Sequence, residues 1–473
     1  MENVPRNHEA DIENNSSEQE LLYVAERIHS KFDVVKSYSQ RPLMQDRLIF
    51  CTDPLLREVN KEAYKPNFVI IGHLCPYREG EFLMEIEMQK RIYLASFLQK
   101  AEKTASLKDF CKLIKDSADR INGCYEITHC RCYSQYLGTI EQASIEGHPG
   151  FFIEMILVDA SFIIELFLRA YNKKWREEGD FILDGPGKMH NIRRDLFLAE
   201  NQLPFFILKE LYEFAFGGNP DFPSFLHLTC HFFGPYYNQH TSIQAPSVCH
   251  GRAKLEDAKH FTDLLRTLQL PPYSLLPSSK KPEESLEAGQ GQGEYLYSAV
   301  LLREAGVKFK VTTNRCLLDI EFNQNNGELK IPPLRLDELT ESFFRNLMAW
   351  EQRYYPHETL ICDYIFLMEY LIKSTEDVDL LVRKRILINQ LGSHKAVVSL
   401  FNKLCKHVIP MEKNHYSDIF WKLNAYNAVR RHSWIAILRL QYFSTLWRGV
   451  ATIAAVVLLV LTLIQTICAV ISL

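Results

Sequence analysis

Apolar residues recur at threes and fours from Glu18 onward, with Leu21, Leu22, Val24, Ala25, Ile28, Phe32 and Val35 on one stripe. That spacing predicts an amphipathic helix in need of a partner. A short extended piece, Phe68 to Ile71, and a turn-rich loop, Gly72 to Gly80, lead into a long helix from about Glu81 that carries Met84, Met88, Ile92 and Phe97. The run MILVDASFIIELFL, Met155 to Leu168, is apolar except for Asp159, Ser161 and Glu165, the pattern of a helix buried on most sides. Farther on, Glu200, Asn201 and Gln202 stand between apolar runs just before Pro204. One helix should end there and another begin, with Asn201 or Gln202 near the cap and Pro204 in the first turn. After Gly306 the period drops to two: Val307, Phe309 and Val311 alternate, then Leu318, Ile320 and Phe322, and NQNNG turns the chain into Leu329 and Ile331. This predicts a small antiparallel β-sheet insertion over about 307–331. Helical spacing returns at Leu339, Phe343, Leu347 and Trp350, and again over roughly 358–374, 393–408 and 414–446. Finally, charge vanishes from Val450 to Leu473. As a helix this stretch covers about 36 Å, enough for a hydrocarbon core of about 30 Å. The expected fold class is therefore mainly α, a multi-helix body with one C-terminal transmembrane helix.

Composition divides the chain further. Residues 1–18 are rich in Asn, Glu and Ser and read as a disordered tail. The stretch 271–293, PPYSLLPSSKKPEESLEAGQGQG, reads as a flexible linker between helical parts at 19–270 and 294–446, with the anchor at 450–473. The net charge of −4 and a pI near 6.5 leave no electrostatic footprint for nucleic acid. Trp434, Tyr442, Phe443 and Trp447, with Arg430, Arg431, Arg439 and Arg448, suit the cytosolic flank of an anchor. The opening MENVPRNHEADIENNSSEQE lacks the apolar segment of a signal peptide, so insertion through the tail and a cytosolic body are expected. Twelve scattered cysteines agree with a reducing compartment.

Several separated strings in this order resemble the plant family catalogued as domain of unknown function 247, the UPF0481-like membrane proteins. They are Asn60, Ala63, Tyr64, Pro66, Gly72, His73, Met88 and Lys90 near the start, then Asp159 and Glu165. The string from Asp195 through Glu200, Asn201, Gln202 and Pro204 follows, with His260, Asp263 and Arg266 after it. Ala299 to Phe309 around Gly306, and Asn346 with Glu351, complete the series. The resemblance runs from about residue 49 to the end. It departs from the family where Cys51 to Pro54 replaces a Val-Pro start, and in the GHLCP loop. Some family members lie at grass self-incompatibility loci as candidate pollen-side determinants, so the resemblance implies a membrane-tethered protein of recognition or signalling.

The residues themselves offer no catalytic set. Cys124, His129, Cys130 and Cys132 lie close together but lack the paired C-x₂-C spacing of structural zinc. His227 and His231 stand at i, i+4, yet Leu228 occupies the place of the glutamate in H-E-x-x-H. The GQGQG run is not a phosphate loop, and no nucleophile elbow or kinase signature is present. The family-motif residues, from Tyr64 to Glu351, read as structural, with no cofactor and no metal. The functional expectation is a non-enzymatic protein that meets a lipid bilayer through Val450–Leu473 and unidentified protein partners through its body. Self-association is a further expectation, because Thr452, Ala455, Thr462 and Thr466 fall mostly on one side of the anchor. The rival is a membrane-associated hydrolase, with its site near Cys124–Cys132 or Glu200.

Overall fold

The computed structural model describes residues 47–72, 81–126, 150–185, 187–237, 255–270, 296–312, 316–410, 414–428 and 446–471. Apart from Arg47, these belong to one compact unit, Leu48–Leu473. The expected helix near Leu21, the linker, and the segments around His73, His129 and Arg430 lie outside the described residues.

The buried apolar run expected at 155–168 is the middle of a helix, Phe151–Tyr171, that is buried from Ile156 to Arg169. A helix apolar on nearly every side has to be surrounded, and this one is. Glu81–Ala101 packs along it most extensively, with Leu107–Asp116, Phe205–Phe216 and Phe225–Tyr237 around the remainder. Phe167 stands where these elements meet, against the rings of Phe225, Phe232, Phe233 and Phe261. A second central helix, Thr340–Tyr354, packs against Lys188–Phe197, Phe261–Gln269, Leu360–Leu371 and His394–Cys405. One hydrophobic cluster runs through both sets, from Ile49 to Leu423.

The β insertion is mixed rather than antiparallel. Strands β1 (Lys308–Val311), β2 (Glu321–Asn323) and β3 (Glu328–Ile331) have the order β1-β3-β2. β2 and β3 form the expected hairpin, but β1 lies parallel to β3, with Phe309 opposite Leu329. Alternation fixes which side chains share a face and says nothing of strand direction. Gly306, at φ 101, makes the turn from helix Ala299–Glu304 into β1, in a backbone region open mainly to glycine. A second parallel pair, β4 (Leu334–Leu336) with β5 (Leu387–Asn389), was not expected from the sequence; β5 lies between the helices read at 358–374 and 393–408.

The expected transmembrane anchor requires the larger correction. A helix, Leu446–Ile471, does form on the uncharged run. Among the described residues, however, no helix is long and apolar enough to cross a membrane. The hydroxyls of Thr462 and Thr466 donate back to the carbonyls of Leu458 and Thr462 on their own helix.

Candidate functional site

Several of the family strings converge on a stretch of backbone that has no neighbouring strand among the described residues. Pro66 disfavours helix at Lys65, so after the 3₁₀ turn Lys61–Ala63 the chain runs on without regular structure through Asn67–Gly72. Buried backbone must still be hydrogen-bonded. Here side chains serve in place of a strand. Asp195, completely buried near the end of helix Lys188–Phe197, accepts from the amides of Asn67 (3.0 Å), Phe68 (2.5 Å) and Val69 (2.9 Å). Asn201 Oδ1 accepts from Ile71 at 2.7 Å, and Asp159 Oδ2 from Gly72 at 2.8 Å. The carbonyls are met in the same way, Val69 by Asn201 Nδ2 (3.0 Å) and Ile70 by Lys90 Nζ (2.5 Å). Lys90 also pairs with Asp159 at 2.8 Å. Burial pulls the pKa of the Lys90 ammonium down, but Asp159 and Glu87 outweigh it and hold the group above the usual lysine value. Gly72 sits at φ +68, and a Cβ there would lie 2.6 Å from the carbonyl oxygen of Gln202, so only glycine closes this strap.

The triplet at 200–202 sends each side chain to a different neighbour. Glu200 accepts from the amide of Thr52 at 2.7 Å and pairs with Arg57. Besides the strap, Asn201 reaches the carbonyl of Asp195 at 2.9 Å. Gln202 donates to the carbonyls of Leu196 and Leu198 and accepts from Phe261 at 3.0 Å. The expected cap is therefore absent: Pro204 holds the N-cap position of Phe205–Phe216, with no side-chain cap bond. Asn201 and Gln202 instead satisfy the carbonyl end of the preceding helix and the turn that follows it.

Two further buried clusters complete the set. Glu165 and Asp180 hold the guanidinium of Arg169, each at 2.7 Å, with the Tyr93 ring 4.3 Å from it, and Lys100 also reaches Glu165. Farther along, Glu351 pairs with Arg266 at 2.9 Å and accepts from the amides of Ile361 and Cys362, at 3.0 Å each. These amides open helix Leu360–Leu371, so the carboxylate serves as its anionic cap from another helix. Asn346 accepts from Ala199 and donates to the carbonyl of Ala63, both at 2.9 Å. Tyr64 is buried beside Arg345 and Glu200, and burial pushes its phenol up to about 12.

The profile of a family described as "Plant protein of unknown function", DUF247, matches residues 49–461. The chain belongs to the DUF247 family. It is similar to the UPF0481 protein At3g47200 of Arabidopsis thaliana, 29% identical over 440 residues, 88% of this chain and 84% of that protein. A second UPF0481 protein of the same plant, At3g02645, is 30% identical over 164 residues, 35% of this chain and 31% of the other. No solved structure matches significantly.

Within this DUF247 chain Tyr64, Gly72, Asp159, Glu165, Glu200, Asn201, Gln202, Asn346 and Glu351 thus lie in buried hydrogen-bonded clusters, and each carboxylate among them has a cation or amide beside it, whereas Gly306 stands apart at its turn and Met88 is exposed. Among the described residues no group of three or more His, Cys, Asp or Glu could hold a metal, and His129, Cys130 and Cys132 lie outside them. His227 and His231 both stand edge-on to Tyr171. No disulfide joins any two of the described cysteines. Of the partners, Lys90, Asp195 and Arg266 already stand in the family strings, as does Asp263, which accepts from Trp350 Nε1 at 3.0 Å and from the Tyr355 hydroxyl at 2.9 Å. Arg169 was missed by sequence reasoning, its one signal being a charge at the end of an apolar run.

Asp363, in the first turn of Leu360–Leu371, is also charged and buried, at 3% exposure. Its Oδ2 accepts from His415 at 2.7 Å while Oδ1 has no partner. Burial pushes this carboxyl up to about 7, against the His415 amide, which lowers it, and with help from Glu351. Below about pH 4 the folded and unfolded chains both hold the proton. From there to about pH 7 only the folded chain keeps it, so this residue's effect on stability worsens with rising pH and levels off above 7. Asp363→Asn should therefore match the native protein near pH 4 and exceed it above pH 7, by at most about 4 kcal/mol. Denaturant melts of both proteins across pH 4–8 measure the difference; a difference that stays constant with pH would mean that the carboxyl is ionised throughout.

Proposed function

We propose that this protein acts without catalysis, in plant recognition or signalling, by binding another protein, and that helix Leu446–Ile471 is a contact surface. One observation carries the reading. From Val450 to Ile467 each large apolar side chain described on this helix is at least half exposed, from 50% at Ile464 to 71% at Leu459. Contiguous apolar surface of this extent marks an interaction site, because leaving it in water forfeits about 25 cal/mol for every Å². The buried clusters support the same reading from the other side. Their carboxylates and guanidiniums are engaged in holding loops and helix ends.

Proximity labelling with the full chain in plant tissue, followed by direct binding of the purified candidate, tests this. Val456, Leu459 and Leu463 share one helical face, and their joint replacement by glutamine should weaken binding of that candidate at least tenfold. Labelling and binding that survive the triple replacement remove the helix as the contact. Turnover of a substrate by the purified chain alone would overturn the non-catalytic reading.

A further inference from the structure

Helix His394–Cys405 buries one face through Val397, Leu400, Phe401 and Leu404. Its opposite side carries Lys395, Ser399, Asn402 and Lys403 at i, i+4, i+7 and i+8, with Lys406 just past the end, which sets them along one face for about 12–16 Å. This face forms one wall of an open groove of about 630 Å³. The other wall is Lys373 through Glu376, the start of helix Thr375–Arg383, and Val398 contributes to the lining. Four ammonium groups thus share one concavity with a single lining carboxylate, Glu376, in a chain whose net charge is −4.

Elsewhere among the described residues Lys90, Lys100, Lys209, Lys310, Lys330 and Lys422 each have a carboxylate within 4.0 Å, while others, such as the exposed Lys108 and Lys112, have none. In the groove only Lys373 does, with Glu369. Lys395, Lys403 and Lys406 have no ion pair among the described residues. Like charges gathered without counter-charge repel one another, and a bound anion relieves this.

We infer that this groove binds a polyphosphorylated polyol, either free or as the head group of a lipid. A single phosphate cannot reach ammonium groups spread over some 12 Å of helix, so the ligand carries several. The hydroxyl of Ser399 and the amide of Asn402, between the lysines, can hydrogen-bond ring hydroxyls. Lysine binds phosphate as a point charge and needs no bidentate geometry, which suits a ligand read by its charge distribution. This site is separate from the exposed helix Leu446–Ile471 and does not depend on it.

Calorimetric titration of the full chain with myo-inositol hexakisphosphate at about 0.15 M salt tests the inference, beside flotation with phosphatidylcholine vesicles that contain or lack phosphatidylinositol 4,5-bisphosphate. Binding is expected, and Lys395→Gln with Lys403→Gln should weaken it at least tenfold with an unchanged melting temperature, because glutamine keeps the helix propensity. Lys108→Gln with Lys112→Gln, the same change in charge on an exposed helix elsewhere, should leave it intact. Tighter capture by the lipid vesicles than by the free polyphosphate assigns the ligand to a membrane, and the reverse assigns it to solution. No binding of either probe, or equal weakening in the two double variants, overturns the inference.

Discussion

Asp195→Ala should lower the free energy of unfolding by about 3–5 kcal/mol, a large part of the 5–15 kcal/mol that holds most domains together. The carboxylate is completely buried, accepts from three consecutive amides and pairs with Arg194 at 2.9 Å. Burial raises the pKa of the Asp195 carboxyl, with the three amides and Arg194 acting in opposition. Removing it leaves buried donors without an acceptor, at about 1–3 kcal/mol for each that water cannot reach. Asn201→Ala, which strips Ile71 and the Val69 carbonyl, should cost less, because every group it leaves is neutral. Urea denaturation of the three proteins gives the ranking, and a loss below about 1 kcal/mol for Asp195→Ala would show that Asn67–Val69 find other acceptors.

The second large effect is expected at the ion pair between Arg266 and Glu351, whose side chains are 2% and 0% exposed. Glu351→Ala should destabilise by about 3–5 kcal/mol, since it strands a buried guanidinium and uncaps the amides of Ile361 and Cys362. Arg266 keeps the Glu358 carbonyl at 2.6 Å, the Tyr355 ring at 3.9 Å and the half-exposed Glu358 carboxylate at 3.7 Å, a weaker counter-charge than the buried Glu351. The double variant Arg266→Met with Glu351→Leu should recover part of the loss, because an apolar pair has no desolvation cost to repay. A double-mutant cycle on these positions is expected to give a coupling above about 2 kcal/mol. Additive effects would mean that the two groups stabilise the fold independently.

These two sites also mark what could be read in the sequence. Helix Phe151–Tyr171 was legible because its signal is local: an apolar run with three polar interruptions already states that the helix is surrounded. The hairpin of β2 and β3 was legible for the same reason. Strand β1 was expected in an antiparallel sheet and lies parallel to β3, since side-chain alternation is identical for parallel and antiparallel neighbours. Asn201 looked like a cap because capping is the commonest use of an asparagine between helices, whereas its partners at Val69 and Ile71 lie 132 and 130 residues away. Nothing near Asn201 in the chain announces them. The uncharged run at Val450 predicted a helix, which forms, and a membrane crossing, which the described residues do not provide.

The strap at Asn67–Gly72 has a consequence for how the protein is made. A strand that pairs with a hairpin neighbour is satisfied almost as soon as it is synthesised, but this segment's acceptors sit at Asp159, Asp195 and Asn201. Contacts of such separation form late in folding. At a ribosomal pace of about 5–20 residues per second, roughly 6–26 s pass between Gly72 and Asn201. For that interval a run of exposed apolar side chains, Phe68 to Ile71, travels with its amides open, a natural stopping place for a chaperone on the nascent chain.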